Sequence, residues 1–135
     1  MKTLSIVKAS VLAASIAMTL ACGYSSKTTP AAPGTMPAIA TLNPDTATAG
    51  SQAFTLTVNG SNFSSKAVVN WNGAAMSGTT YVSGNQLTVA IPASAIETAG
   101  SVQVTVTNPA VAGTGQYGSG GTLAETSPAM TFTIN

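Results

Sequence analysis

The chain contains no histidine, no arginine and only one cysteine. Each absence removes a kind of chemistry. Without histidine there is no Ser-His-Asp triad and no His-ligated zinc. With one cysteine there is no Cys-ligated zinc site, no CxxC redox pair and no internal disulfide. Without arginine no side chain grips a phosphate or a base edge bidentately. Charged residues make up 5% of the chain and the formal net charge is +1. Four scattered lysines form no basic stripe, so nucleic acid is not an expected partner.

Acids are as scarce as bases: Asp45, Glu97 and Glu125 are the full set. No window holds two of them, which excludes the clustered oxygen ligands of a calcium loop. A pair of carboxylates held about 5–10 Å apart can run glycoside hydrolysis. These three fall in expected loops, where a solvated acid is the ordinary case. No catalytic residue, metal ligand or cofactor is expected, and the chain is not read as an enzyme. Its 135 residues suit one domain, and about 100 of them are enough to enclose a core.

What is present begins with a leader. Lys2 and Lys8 precede an apolar stretch, Ala9 to Ala21, that is the length of a signal-peptide core and short for a membrane-spanning helix. The only cysteine, Cys22, stands directly after it. Thr19-Leu20-Ala21-Cys22 resembles a bacterial lipoprotein signal, in which Leu, a small residue, and Gly or Ala precede the lipidated cysteine. Ala21 and Cys22 match; Leu20 stands one place later than usual and Thr19 takes its position. The resemblance implies a diacylglyceryl thioether on Cys22, a lipid-anchored cell-envelope protein and a membrane as partner. Ordinary secretion after a small-x-small site, and a retained membrane anchor, are the alternatives. Cleavage before Cys22 removes 21 of the 135 residues and leaves 114, in which two lysines face three acids.

Residues 22–36 read CGYSSKTTPAAPGTM, with hardly a bulky apolar side chain to offset the entropy of ordering. The stretch is expected to be a disordered tether, a spacer between the lipid and a domain at 37–135.

From Pro37 onward the pattern changes to period two. Phe54, Leu56 and Val58 alternate with polar residues, as do Leu87, Val89 and Ile91, then Val102, Val104 and Val106, then Met130, Phe132 and Ile134. Alternation sends one set inward and the other to solvent. Between these residues stand mostly threonines, which favour strands without adding charge. Weaker strands are expected at 38–42, 67–71 and 79–82. Asn72-Gly73 is a strong two-residue hairpin signal and is expected to link the Trp71 strand to the one near Tyr81. Asn59-Gly60 reads as the start of a loop. Residues 92–100 suggest one helical turn, capped by Ser94, packed by Ile96 and ended by Gly100. About seven short strands imply an all-β, two-sheet sandwich.

The same residues carry a family resemblance. Pro37-Ala38-Ile39 and Leu42-Asn43-Pro44 are followed by Gly60-Ser61-Asn62-Phe63, Val69-Asn70-Trp71-Asn72-Gly73, Leu87 to Pro92, Val102 to Pro109 and Thr131 to Ile134. In this order they resemble an IPT/TIG domain, an immunoglobulin-like sandwich. The resemblance implies no catalysis and no shared binding residue. It implies a module of the kind found in cell-surface receptors, DNA-binding factors, bacterial surface proteins and carbohydrate-active enzymes. Gly60 is expected to supply a positive φ in a turn, Phe63 to plug the end of the core, and Asn62 to bond the loop backbone.

One stretch departs from the family pattern. Residues 110–127 are long and Gly-rich and include Gln116 and Tyr117. Such a loop at a sandwich end can bind a partner, and an exposed tyrosine suits sugar stacking or protein contact; the plainer reading is a loose, tolerated insertion. The expected function is therefore a protein-interaction or structural module of the envelope, with an unidentified protein or glycan partner. The alternative is a secreted carbohydrate-binding accessory module.

Overall fold

Ten strands and one 3₁₀ turn form among the described residues. The computed structural model describes residues 31–114 and 120–135. The strands are β1 (Ala38–Asn43), β2 (Thr46–Ala47), β3 (Phe54–Ser61), β4 (Val68–Trp71), β5 (Ala74–Ala75), β6 (Thr79–Ser83), β7 (Gln86–Ile91), β8 (Gly100–Asn108), β9 (Glu125–Thr126) and β10 (Met130–Ile134). One sheet has the order β1-β3-β7-β6. The other runs β2-β10-β8-β4-β5, with β9 also paired to β8. The seven expected strands are all present, and the fold is the expected two-sheet sandwich. The three further strands, β2, β5 and β9, are two residues each, too short for a hydrophobic period to register.

The alternating residues meet between the sheets. Leu56, Val58, Leu87, Val89 and Ile91 of one sheet are enclosed with Val69, Trp71, Val104, Val106, Phe132 and Ile134 of the other. Phe132 stacks on Phe54 at 5.8 Å between ring centroids and meets the Trp71 ring at 5.0 Å, tilted by 57°. Both arrangements are ones that aromatic quadrupoles favour. Leu42 of β1 joins the cluster, Phe63, Ala67 and Ile96 close it from outside the strands, and Phe63 plugs the core as expected.

Several local expectations are corrected. Asn72 and Gly73 do form a tight turn, with φ of 51° and 86°. The strand they lead to is β5, which pairs with β4 through Trp71 and Ala74. Strand β6, carrying Tyr81, joins the opposite sheet on β7. Thr79 holds that crossover: its hydroxyl donates to the Met76 carbonyl at 2.8 Å and accepts from the Val69 amide at 3.1 Å. Asn59-Gly60 does not begin a loop. Strand β3 continues through it to Ser61, because β1 pairs alongside with Ile39 opposite Gly60. Gly60 accordingly serves close approach rather than a positive φ: a Cβ there would run into the Ala38 carbonyl oxygen and the Phe63 ring. The positive φ, 61°, falls on Asn62. The 3₁₀ turn is Ala93–Ile96, flanked by Pro92 and Glu97. Ser94 lies within it and makes no cap, and Gly100 opens β8 instead of ending the turn. Glu125 lies in β9, not in a loop.

Register gives the sandwich two distinct ends. Ala38 and Ser61 pair at one end, as do Asn108 and Glu125; the chain enters here. Phe54 and Ile91, and Ile134 and Gly100, pair at the far end.

Candidate functional site

The chain-entry end gathers the entering chain, the loop after β3 and the neck of the Gly-rich stretch. Its foundation is the buried side chain of Asn108, which closes the stretch Val102 to Asn108 of β8. Its Oδ1 accepts from the Ser64 amide at 3.0 Å. Its Nδ2 donates to the carbonyls of Thr35, at 2.7 Å, and Asn62, at 2.8 Å. One side chain thus ties the entering chain and the loop after β3 to the end of β8. The Asn62 Nδ2 adds a bond to the Met36 carbonyl at 3.3 Å. From the other sheet edge, the amides of Gly60 and Phe63 donate to the carbonyls of Asn85 and Gly84, both at 2.9 Å. This end is built from polar side chains placed where backbone groups would otherwise be buried without partners.

The Gly-rich stretch is tied down at its neck. The amides of Val111 and Thr122 donate to each other's carbonyls at 3.0 and 2.9 Å. Ala32 pairs on the other side of Thr122: its amide donates to the Gly121 carbonyl, and the Leu123 amide donates to the Ala32 carbonyl, both at 2.9 Å. Residues 31–36, read from the sequence as part of a disordered tether, therefore lie on the sandwich. Two glycines permit the contact. A Cβ on Gly34 would meet the Leu123 carbonyl oxygen, and one on Gly121 the Val111 carbonyl oxygen. Below the neck, β9 and β10 are separated by Ser127, Pro128 and Ala129. Proline cannot donate to the ladder; the Val106 amide donates instead to the buried Ser127 hydroxyl at 2.9 Å, and the Ser127 amide donates to the Val106 carbonyl at 2.8 Å.

Two shallow grooves open beside this end. One, about 350 Å³, lies between the β4–β5 edge and β6 and is lined by Lys66, Met76, Thr79 and Tyr81 among others. The second, about 330 Å³, runs between Ser64–Lys66 and Pro109–Ala112. They share Ser65 and Lys66, so Lys66 stands on the ridge between them. The walls carry hydroxyls, one ammonium, one thioether and one phenol, and no carboxylate, imidazole or thiol. Such a lining can hydrogen-bond and pack against a partner. It holds no nucleophile paired with a base. Edge strand β6 adds exposed Tyr81 and Val82 without a charged residue to guard it.

The acids expected to be solvated are far apart in the fold. Asp45 and Glu97 are exposed at the far end, and Glu125 is half-buried at the entry end. Among the described residues no group of three potential metal ligands occurs, and no buried side-chain polar atom lacks a partner. The leader at 1–21, Cys22 and the candidate loop residues Gln116 and Tyr117 lie outside the described residues. Sequence reasoning missed the Lys66 ridge and the Asn108 clamp. Asn108 stood in view within the Val102–Pro109 stretch, but nothing local distinguishes a clamping asparagine from one in a turn.

Compared with known proteins, residues 37–124 match the family model described as IPT/TIG domain. No curated protein and no solved structure matches the chain.

Proposed function

The chain belongs to the IPT/TIG domain family, and from that premise we propose that it is an exported bacterial lipoprotein of the cell envelope, anchored through Cys22. Its single immunoglobulin-like domain serves as a protein-interaction or structural module. The family itself is an immunoglobulin-like, non-enzymatic one, which supports an interaction role over catalysis. The observation that carries the anchoring is one of order along the chain. Lys2 and Lys8 precede the apolar run 9–21, the sole cysteine stands on its boundary, and the domain follows. A thioether on Cys22 would place acyl chains in the bilayer, each buried methylene contributing about 0.8 kcal/mol, and two or more chains hold a protein stably. The joined grooves around Lys66 and the uncharged edge of β6 support contact with a protein or glycan partner.

Intact mass of the protein from membrane and soluble fractions tests the reading. The expected species begins at Cys22, carries a diacylglyceryl group and is found in the membrane fraction; Cys22→Ala removes the lipid mass and the membrane association. An unmodified chain in the soluble fraction overturns the anchor and makes the domain a secreted accessory module, with carbohydrate the first ligand to assay.

A further inference from the structure

We propose that the chain-entry end is a membrane-facing surface, and that the domain rests this end on the headgroups of the bilayer instead of standing clear of it. The proposal rests on the lipid anchor at Cys22.

The first argument is length. Ala32 is hydrogen-bonded to Gly121 and Leu123, so the chain is fixed to the domain from that point. Only residues 23–30 separate Cys22 from the described residues. Even fully extended, that interval spans at most about 30 Å. A lipid on Cys22 therefore holds the entry end of the sandwich near the bilayer, while the far end, a full strand length away, is turned outward.

The second argument is what that end exposes. Met36, Val111 and Leu123 are each more than half exposed. Val111 and Leu123 flank Thr122, the residue on which Ala32 is paired, and Met36 lies a few residues along the entering chain. The remaining large exposed apolar side chains among the described residues, Tyr81 and Val82, lie at the middle of β6 and in its half that leads into the Gly84-Asn85 turn. That turn is bonded to Gly60 and Phe63 at the same end. A cluster of this kind at one pole marks an interaction surface.

Charge points the same way. Lys66, the sole lysine among the described residues, lies on the ridge beside Val111. Glu125, half-buried, offsets Lys66 at the entry end, while the two exposed acids, Asp45 and Glu97, stand at the opposite pole, where they would be turned away from anionic headgroups. The entry end combines the anchor, the apolar side chains and the cation, as interfacial surfaces do.

The test uses full-length protein purified from membranes and reconstituted into vesicles of phosphatidylethanolamine and phosphatidylglycerol. New thiols are introduced singly as Leu123→Cys, Val111→Cys and Thr98→Cys and labelled with an environment-sensitive dye. All three positions are exposed, and Thr98 lies at the far end. A thioether on Cys22 leaves that sulfur unreactive, so protein without a new cysteine should take up no dye. At 123 and 111 the emission is expected to shift to the blue and to be quenched at least twofold by lipids with brominated chains. At 98 it should match the dye in water. Water-like emission at 123 and 111 from lipidated protein overturns the membrane-facing surface and leaves the anchor standing. A blue shift that brominated lipid does not quench means that protein, a second copy included, covers this end, and also overturns the proposal. Dye uptake by protein without a new cysteine shows a free Cys22 and overturns the anchor together with what rests on it.

Discussion

In the middle of the sandwich the enclosed groups are hydrocarbon: Leu56, Val89, Val104 and Phe132 have essentially no exposed surface. At the chain-entry end Phe63 and Pro37 are enclosed together with an amide, Asn108, and a hydroxyl, Ser127, beside two glycines pressed on carbonyl oxygens. The middle is held by burial, which is non-directional and tolerant of the identity of each residue so long as volume is kept. The entry end is held by hydrogen bonds, each of which depends on one atom at one distance. A sandwich of seven strands can be specified by pattern alone, whereas the joining of its entering chain to its last loop depends on particular side chains.

The comparison can be broken from its stronger side first. Phe132→Ala removes the ring that meets both Phe54 and Trp71 and should cost about 3–5 kcal/mol, read as a fall in the urea midpoint of unfolding. An effect under about 1 kcal/mol would show that the two sheets are not joined through this ring. Asn108→Ala should cost less, about 2 kcal/mol, because it strands the Ser64 amide and the Thr35 and Asn62 carbonyls without their partner. Its distinguishing mark is local. Amide exchange at Ser64 should accelerate far more than exchange at Val104, whereas Phe132→Ala should accelerate both. Equal acceleration after Asn108→Ala would erase the distinction between middle and end. Leu123→Ser should lie within about 0.5 kcal/mol of the parent domain, since that side chain is already half in solvent. A larger loss would mean that it packs within the domain.

Legibility in the sequence divides along the same line. The strands with a sustained alternation, β3, β7, β8 and β10, were readable because each buries one face against a single core, and period two is the trace of that burial. Strands β2, β5 and β9 left no such trace at two residues apiece. The partner of the Asn72-Gly73 hairpin was misread for a related reason. The turn chemistry at Asn72 and Gly73 is local and was correct. Which strand follows depends on Thr79 meeting the Val69 amide across ten residues, a contact with no local signature. Gly60 shows the limit from another direction. A glycine required by close approach and one required by positive φ look the same in a sequence, and only the Ala38 carbonyl beside it separates them.

The candidate surface was the least legible part. Lys66 reads as one isolated charge until the fold sets it between two grooves. Met36, Val111 and Leu123 are separated by up to 87 positions along the chain, from 36 to 123, and become neighbours of one pole only through the pairing at Ala32, Thr122 and Val111. By itself the sequence determined the all-β class, the core-facing residues and the excluded chemistries, because composition and a short period act through burial, which each strand expresses locally. Only the tertiary structure decided where the entering chain is held, which end collects the exposed apolar side chains and which end holds two of the three acids. Those are consequences of long-range pairing, in which the interacting residues carry no information about one another until the backbone brings them within hydrogen-bonding distance.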